Sequence, residues 1–526
     1  MQTELTKHPR HWAARDPGRA AVIFGGSGEV ITYGALEERA NRCAQLMRRC
    51  GLRRGDHVAI LIENHPRFLE IAWAAHNCGL YFTPISWRFQ SDEIEFIVRD
   101  CGARVLFTTV AQAPLAATLR GRIAGLRCFV AGAARGEPDS YEEAIAGCPP
   151  LPVADESRGS DMVYSSGSTG RPKGVKQKLP EAGIDLPSAM FQVYERRYGW
   201  GPDTVYLLPA PLYHSGPLRF AMTMQHVGAT LVVMERFDAA RSLELCERYR
   251  VTDAHWVPTM LVRLLKLEPA ERARHDLSSL RRVIHGAGPC PPEVKREMIA
   301  WLGPILEESY GGTEGNGLTM ISSAEWLAHP GSVGRAFMGS IHILDEQGRE
   351  LPVGETGLVY FAGGPKFEYH GNPGKTREAY DAQGRSTLGD IGHLDADGYL
   401  YLTDRRNNLI ITGGVNVFPQ EIENVLITHP AVIDVAVFGL PDVEMGETIQ
   451  AVVQPRDMSA AGPELEAELS EWLRERLARY KVPRTIDFRA QLPRHDTGKI
   501  YTRLLKAEYL ECIAAGRAGT QAGGRR

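Results

Sequence analysis

The most distinctive segment of the chain has the sequence Tyr164-Ser165-Ser166-Gly167-Ser168-Thr169-Gly170-Arg171-Pro172-Lys173-Gly174. It holds three glycines, four aliphatic hydroxyls and one lysine, and it follows a short apolar run that predicts the end of a buried strand. Glycines let successive N–H groups point into one concavity, and hydroxyls and an ammonium group add donors for phosphate oxygens. The segment therefore predicts a phosphate-binding loop, with an ordinary surface turn as the alternative interpretation.

Two common phosphate-binding motifs do not fit this segment. A Walker A loop needs Gly directly before the lysine and Ser or Thr directly after it, whereas Pro172 and Gly174 stand there. A dinucleotide fingerprint would be G-x-G-x-x-G at the start of a helix, and that spacing is absent as well. A P-loop kinase or ATPase is accordingly disfavoured.

Length and composition limit the class of protein. The chain has 526 residues, which favours two or more domains, and its net charge of −4 gives no general attraction to nucleic acid. The nine cysteines form no C-x-x-C pair, which argues against a zinc site or a disulfide framework and fits a reducing cytosol. We find no signal peptide and no apolar stretch of about 18 residues, so we expect a cytoplasmic protein without a transmembrane helix.

Residues before the glycine-rich segment alternate between strand and helix patterns. Strands are predicted at 58–62, 81–85 and 105–108, with helices at 66–78 and at 92–99, the latter capped by Ser91. A hairpin is predicted at 21–31, followed by a helix capped by Thr32, and residues 132–160 are expected to be a surface connection. Continuous apolar strands separated by helices predict an α/β fold with a parallel sheet covered on both faces.

Further polar motifs follow the later predicted strands. His214 follows the strand at 205–209, Trp256 and Val257 end a strand that we extend to Thr259, and a small-residue loop with Gly286, Gly288 and Pro289 follows the strand at 283. For Trp256, core packing is an equal alternative to a pocket role. Residues 308–315 read Glu308-Ser309-Tyr310-Gly311-Gly312-Thr313-Glu314-Gly315, and 386–392 contain Asp390. From Gly331 the pattern changes to β-hairpins, which predict a small barrel-like subdomain.

These segments, in this order, resemble the adenylate-forming (AMP-binding) superfamily, which includes acyl-CoA synthetases, aryl-CoA ligases, luciferases and peptide-synthetase adenylation domains. The resemblance covers nearly the whole chain, and Thr412–Pro419 looks most like bacterial fatty-acyl-CoA and related acid–CoA ligases. The sequence Pro493-Arg494-His495-Asp496-Thr497-Gly498-Lys499 completes the pattern, because Lys499 matches the family's catalytic lysine.

The resemblance implies a role for each matching residue. ATP or AMP would be bound by Ser165, Ser166, Gly167, Ser168, Thr169, Gly170, Lys173, Gly288, Pro289, Glu308, Ser309, Tyr310, Gly311, Thr313, Asp390 and Arg405. The catalytic residues would be Lys499, His214, Glu314 and Thr313, and Glu314 with Thr169 would hold Mg²⁺. The acyl pocket would be lined by His214, Trp256, Val257, Gly286, Gly311 and Gly312, and the coenzyme A tunnel by Gly413 and Gly414. Asn407 falls on the hinge, where the family more often has Asp or Lys.

The implied architecture is a large N-terminal domain of stacked αβαβα subdomains plus a small β-barrel, joined by a hinge to a small α+β domain. We predict the large domain at 1–404, with its β-rich subdomain at about 331–404, the hinge at 405–408, a C-terminal domain that rotates at 409–512, and a disordered tail at 513–526. We expect a monomer or homodimer.

The implied reaction is the joining of a carboxylic acid to coenzyme A. The acid and ATP would give acyl-AMP and pyrophosphate, and coenzyme A would then give acyl-CoA and AMP. Apolar pocket residues favour a medium- or long-chain fatty acid or a bulky aryl or polycyclic acid over acetate or a diacid. One alternative keeps adenylation but changes the acceptor to an amine, a carrier protein or oxygen. Another, a nucleotide-binding sensor without turnover, is disfavoured because Lys499 and Glu314 are both present.

Overall fold

The computed structural model describes residues 8–165, 172–181, 183–185, 189–405, 408–494 and 500–514. The helices are α1 Pro9–Arg15, α2 Tyr33–Arg49, α3 Phe68–Asn77, α4 Ser91–Asp100, α5 Ala113–Arg122, α6 Tyr141–Ala146, α7 Ala189–Tyr198, α8 Ser215–His226, α9 Ala239–Arg248, α10 Pro258–Leu265, α11 Pro269–Arg272, α12 Pro292–Leu302, α13 Ser323–Ala328, α14 Pro373–Glu378, α15 Pro419–Leu426, α16 Pro463–Arg474 and α17 Thr502–Ala514. The strands are β1 Ala20–Phe24, β2 Val30–Thr32, β3 His57–Leu61, β4 Tyr81–Pro84, β5 Val105–Thr109, β6 Arg127–Ala131, β7 Ser160–Asp161, β8 Val163–Ser165, β9 Lys173–Lys176, β10 Val205–Leu208, β11 Thr230–Val233, β12 Asp253–His255, β13 Arg282–His285, β14 Leu306–Tyr310, β15 Leu318–Ser322, β16 Ser332–Met338, β17 Ser340–Leu344, β18 Gly357–Ala362, β19 Glu368–Tyr369, β20 Ser386–Leu394, β21 Leu400–Arg405, β22 Ile410–Thr412, β23 Val415–Val417, β24 Val432–Asp442, β25 Gly446–Pro455 and β26 Thr485–Phe488.

Four sheets are present within the described ranges, and they confirm the predicted α/β class. The largest has the order β17-β18-β20-β21-β16-β15-β14-β13-β12-β10-β11-β1-β2, and its central strands, from β1 and β11 to β14, are parallel. A second sheet, β6-β5-β3-β4-β7, is parallel throughout. A third is the small sheet β19-β9-β8, and the fourth belongs to residues 410–488. The C-terminal part of the chain therefore has a sheet of its own.

The β-rich stretch after Gly331, predicted as a small barrel-like subdomain, is joined to the largest sheet. Strand β16 pairs with β15 on one side and with β21 on the other, so the hairpin strands continue the largest sheet instead of forming a closed unit. The sequence pattern of short alternating strands is the same in both arrangements, because pairing partners are not encoded by periodicity.

Four local predictions also need correction. Gln90, not Ser91, stands before α4, where a capping box with Glu93 satisfies the first turn. The stretch at 132–160 contains helix α6, whose first turn is capped by Ser140. The strand expected to reach Thr259 ends at His255, because Pro258 begins α10. Helix α17 extends to Ala514, two residues into the predicted tail.

The two faces of the largest sheet pack against different helices. Alternate residues of β10 divide between two cores, with Tyr206 and Leu208 in the one that includes Phe220 of α8, and Leu207 in the one that includes Leu261 of α10. Because paired residues of parallel strands point to the same face, the carboxyl ends of β12, β13 and β14 present side chains toward α8 on one face and toward α12 on the other. This edge of the sheet carries most of the predicted site residues. No helix in the described ranges is both long and apolar enough to cross a bilayer.

Candidate active site

The predicted phosphate loop connects two strands that pair as a hairpin. Strands β8 and β9 are antiparallel, with Ser165 opposite Lys173, so the ends of the loop are close together. The loop residues Ser166, Gly167, Ser168, Thr169 and Gly170 lie outside the described residues. The ammonium group of Lys173 stands 5.1 Å from the centre of the Tyr369 ring, and burial, followed by the nearby Lys375, lowers the pKa of Lys173. The hairpin therefore positions Lys173 in a partly desolvated place suited to an anionic ligand.

Glu314 is buried beside this lysine. Its Oε1 accepts a hydrogen bond of 3.0 Å from the Tyr369 hydroxyl, and its main-chain carbonyl accepts one of 3.2 Å from the Gln177 amide. Among the described residues, no cationic side chain forms an ion pair with Glu314. A Cβ at Gly312 would lie 2.8 Å from Oε2 of Glu314, so a side chain there would displace the carboxylate. A buried carboxylate that forms no ion pair with a described side chain fits a hard metal ion such as Mg²⁺.

Thr313 links this carboxylate to helix α8. Its hydroxyl is 3.2 Å from the hydroxyl of Ser215, and its carbonyl accepts a hydrogen bond of 3.3 Å from Arg219. Arg219 also forms an ion pair of 2.9 Å with Asp161 on β7. The start of α8 is thus fixed against the segment that contains Thr313 and Glu314.

Tyr310 and Asp390 meet across the largest sheet. The Tyr310 hydroxyl donates a hydrogen bond of 2.6 Å to Oδ2 of Asp390, which is 6% exposed. Asp390 on β20 is paired in register with Arg405 on β21, whose side chain lies outside the described residues. The two positions predicted to contact ribose are therefore neighbours, and an aromatic ring is held beside them.

The small-residue loop after β13 approaches the end of β14 closely. A Cβ at Gly286 would lie 2.4 Å from the carbonyl oxygen of Ser309, whereas a Cβ at Gly288 would meet nothing within 4 Å. The intervening Ala287 has a φ of +67°, in the left-handed region that non-glycine residues seldom adopt. The loop thus combines close backbone contact at its start with open space at Gly288 and Pro289, where a flat ring has room.

Glu308 lies in the predicted nucleotide-binding segment but has a protein partner. The Lys295 ammonium on α12 donates a hydrogen bond of 2.6 Å to its Oε2, and both side chains are buried. Burial raises the pKa of Glu308, while Lys295 opposes the rise. The carboxylate of Glu308 therefore joins the sheet to α12, on the face away from α8.

The predicted acyl-pocket residues divide between the two faces. His214 stands directly before α8, with its ring 4.5 Å from that of Tyr213, and so lies next to Ser215 and Thr313. Trp256 and Val257 instead pack in the core on the other face, and the Trp256 indole donates a hydrogen bond of 3.2 Å to Ser242 of α9. This corrects the expectation that Trp256 and Val257 line the pocket, and it favours the core-packing alternative.

In the C-terminal part, Gly413 and Gly414 form the two-residue turn between β22 and β23. Their φ values are +56° and +76°, the combination that a tight hairpin of this type requires. The Gly413 N–H donates a hydrogen bond of 2.8 Å to the carbonyl of Met445. The predicted hinge residue Asn407 and the predicted catalytic residue Lys499 lie outside the described residues.

The positions that flank Lys499 are nevertheless fixed. Arg494 and Ile500 form an antiparallel bridge, and the guanidinium of Arg494 forms an ion pair with Asp434 of β24. The segment that carries Lys499 therefore begins and ends at the same edge of the C-terminal sheet.

Sequence reasoning missed four residues of this site. Tyr369, Gln177, Ser215 and Asp161 reach Glu314, Thr313 and Arg219 from separate elements. Of the four, Ser215 has the strongest sequence signal, because it directly follows the predicted site residue His214. The other three stand outside any motif, and their contacts depend on long-range packing.

Comparison with known proteins gives the family. A family model described as AMP-binding enzyme matches residues 9–366, and one described as AMP-binding enzyme C-terminal domain matches residues 421–499. The chain is 34% identical to a feruloyl-CoA synthase from an Amycolatopsis species over 505 residues, which cover 94% of this chain and 97% of that protein. It is 33% identical to a long-chain-fatty-acid–CoA ligase of Mycobacterium tuberculosis over 507 residues, which cover 95% and 97%.

A solved structure agrees with these matches. ATP-bound MatB from Rhodopseudomonas palustris has a TM-score of 0.80 to this chain at 28% identity, with 95% of this chain and 99% of that one covered. The superfamily predicted from the order of the motifs is confirmed. The chain belongs to the AMP-binding enzyme family, in the acyl-CoA synthetase branch of the adenylate-forming superfamily.

Proposed function

We propose that the chain is an ATP-dependent acid–CoA ligase for a medium- or long-chain fatty acid or a bulky aryl or polycyclic acid. An oxygen of the acid attacks the α-phosphorus of ATP, the bond to pyrophosphate breaks, and acyl-AMP forms. The coenzyme A sulfur then attacks the acyl carbonyl, the thiol proton is lost, and AMP leaves. The names of the two relatives, which cover an aryl and a long-chain fatty acid, support this range of acids.

The observation that carries the proposal is the position of Glu314. Its carboxylate and the Lys173 ammonium both contact Tyr369, one through the hydroxyl and the other above the ring. Thr313, the next residue, touches Ser215 at the start of α8. A cation, a carboxylate and a hydroxyl therefore converge where the phosphate loop begins and ends, as transfer at the α-phosphate requires.

Mg²⁺ fits this arrangement. Glu314, together with Thr169, would hold the ion, and its charge would offset that of the phosphates when bound. Lys173 contributes a second positive charge at the loop. The charge of Lys173, together with that of an ion held by Glu314 and Thr169, would reduce the repulsion between the incoming carboxylate and the triphosphate.

The ribose and adenine would lie farther along the same edge. Asp390 has two acceptor oxygens, which suit the two hydroxyls of ribose, and Arg405 is its neighbour in register. Tyr310 offers a ring face beside Asp390, and the loop at Gly288 leaves open space for adenine.

The charges around the pocket favour an acid with one carboxylate. Arg219 is the cation nearest to Thr313 in the described part of α8, and its guanidinium already forms an ion pair with Asp161. A second carboxylate on the substrate would have to break that pair. An apolar monocarboxylic acid is therefore the better match.

The second half-reaction requires a rearrangement. We propose that the domains divide as predicted, with the hinge at 405–408, and that Lys499 serves adenylation while Gly413 and Gly414 line the coenzyme A tunnel after rotation. The Gly413–Gly414 turn supports this assignment, because a turn without side chains permits close approach of a narrow thiol arm.

Separate assays of the two half-reactions test this division. We expect Lys499→Ala to lose acyl-AMP formation and to retain thioester formation from supplied acyl-AMP. Lys506→Ala, a change on α17 in the same domain, is the matched control and should retain both. Equal loss of both half-reactions in Lys499→Ala, with the control unaffected, would contradict the proposal.

A further inference from the structure

A buried histidine stands next to the place where the acid must bind. A Cβ at Gly216, in the first turn of α8, would lie 3.9 Å from Cε1 of His255, the last residue of β12. Gly216 follows Ser215, whose hydroxyl is 3.2 Å from that of Thr313. The His255 ring therefore lies against the first turn of α8, where Ser215 contacts Thr313, on the face of the sheet that carries Gly286.

The imidazole of His255 has no hydrogen-bond partner in the part of the chain that the structure describes. The residue is 6% exposed, and its Nδ1 is buried. Its ring contact is with Phe220 of α8, at 5.1 Å between centroids. Buried polar groups are normally hydrogen-bonded, so an unpartnered imidazole beside the predicted binding site is available to form a hydrogen bond with a ligand.

A second polar group lies deeper on the same face. Tyr206 of β10 is fully buried, and its hydroxyl has no partner among the described residues. Its ring is parallel to that of Phe220, at 6.1 Å, and Trp200 meets it edge-on at 6.3 Å. The side chains around Phe220 on this face are therefore mainly aromatic, and Tyr206 is enclosed among them. A saturated acyl chain would leave the His255 imidazole unpaired, whereas a hydroxylated aromatic ring can supply both a ring contact and a hydrogen bond.

We propose that the acid is an aryl acid with a ring hydroxyl, and that His255 determines this specificity by hydrogen-bonding the hydroxyl. The inference rests on the proposed function and narrows its range of acids. A neutral imidazole has one acceptor nitrogen, which suits a phenolic O–H donor.

The electrostatics of the site agree with a neutral partner. Burial lowers the pKa of His255 to about 4, so the ring is uncharged at neutral pH. It offers no charge to a second carboxylate, and the nearby Arg219 is already paired with Asp161. The remaining way for this site to recognise the acid is a hydrogen bond to an uncharged substituent.

Acid-dependent pyrophosphate release tests the inference with cinnamic acid, para-hydroxycinnamic acid and nonanoic acid as probes. We expect the native enzyme to favour the hydroxylated acid over cinnamic acid by about tenfold or more in kcat/KM, mainly through KM. His255→Phe should reduce that ratio to near one while cinnamic acid itself is still used, and His255→Asn should restore part of it. His285→Asn is the matched control, because His285 is a buried histidine of the next strand on the opposite face, and it should keep the native ratio.

Two results would overturn the inference. One is a native preference for nonanoic acid over both aryl acids, and the other is a ratio that His255→Phe leaves unchanged. Failure of the proposed function is separate, since pyrophosphate release reports on acid choice whether or not coenzyme A is the acceptor. Acid-dependent release without acyl-CoA would refute the ligase and leave the His255 comparison valid.

Discussion

Removal of the Tyr310 hydroxyl is the most direct test of the proposed nucleotide site at a single residue. It donates a hydrogen bond of 2.6 Å to Asp390, and its ring stands where adenine is proposed to stack. Tyr310→Phe keeps the ring and removes the bond that orients the carboxylate. A hydrogen bond to a charged group is worth about 1.5–3 kcal/mol, so we expect KM for ATP to rise roughly tenfold with a smaller change in kcat.

The matched control for this change is Tyr399→Phe. The Tyr399 hydroxyl also faces a carboxylate, that of Glu325, but at 3.4 Å and away from the site. Steady-state kinetics with varied ATP should leave this variant close to native. An unchanged KM for ATP in Tyr310→Phe would argue against ribose binding at Asp390.

Single residues also mark the limit of prediction from sequence. Glu314 and Asp390 stand in long motifs, and each accepts a hydrogen bond from a tyrosine, Tyr369 for Glu314 and Tyr310 for Asp390. The ion pair of Arg219 with Asp161 joins residues far apart in the chain, so no local pattern announces it. Trp256 was ambiguous because an aromatic residue after a strand suits a core and a pocket equally, and only the face of the sheet decides between them.

Helix α15, the first of the C-terminal domain, contains an acid that should make stability depend on pH. Oε1 of Glu423 accepts a hydrogen bond of 2.8 Å from the Val437 N–H. Burial raises the pKa of Glu423 to about 7, from 4.5 for an unperturbed glutamate, and the carboxylates of Asp404 and Asp434 also raise it. The Val437 N–H and Arg494 act in the opposite direction.

The sign of the effect follows from proton binding. Between about pH 4.5 and about pH 7 the folded protein holds a proton on Glu423 that the unfolded chain has lost, so the free energy of unfolding falls as pH rises through this window. Glu423→Gln should remove this fall and stabilise the domain above the window by about 1–2 kcal/mol. Chemical unfolding at a series of pH values measures both the pH dependence of the free energy of unfolding and the stabilisation. Glu464→Gln, an exposed change on α16, is the control, and an unaltered slope in Glu423→Gln would contradict the assignment.

Whole elements were predicted where local signals agree. Thr32 caps α2 through the Ala35 N–H, and Gly51 beyond the helix has a φ of +77°, as the sequence pattern predicts. The errors occurred where several local signals compete. Pro258 is compatible with the end of a strand or the start of a helix, and the hairpins after Gly331 carry no mark of which strand they join.

The side chain of Lys266 connects the large N-terminal part of the chain to the C-terminal domain. The ammonium of Lys266, just after α10, donates hydrogen bonds to the carbonyls of Val432 and Ile433 at the start of β24. Burial, and then the charge of Arg456, lower the pKa of Lys266 to about 8. Lys266→Met keeps the length of the side chain and removes both bonds, so we expect the C-terminal domain to separate more readily and limited proteolysis near the hinge to proceed several-fold faster.

Lys481→Met serves as the comparison. Lys481 forms its ion pair with Glu421 within the C-terminal domain, so its loss should leave the contact between domains intact. Equal proteolysis of both variants and of the native protein would mean that Lys266 does not hold this arrangement.

The proposed ligase function depends on the coupling of adenylation to thioester formation. The decisive measurement is the amount of acyl-CoA, AMP and pyrophosphate formed from an aryl or fatty acid with ATP, with and without coenzyme A. We predict equal amounts of the three products over many turnovers when coenzyme A is present, and little pyrophosphate beyond one turnover when it is absent. Sustained pyrophosphate release that is indifferent to coenzyme A, with no acyl-CoA formed, would contradict the ligase and assign the activated acid to another acceptor.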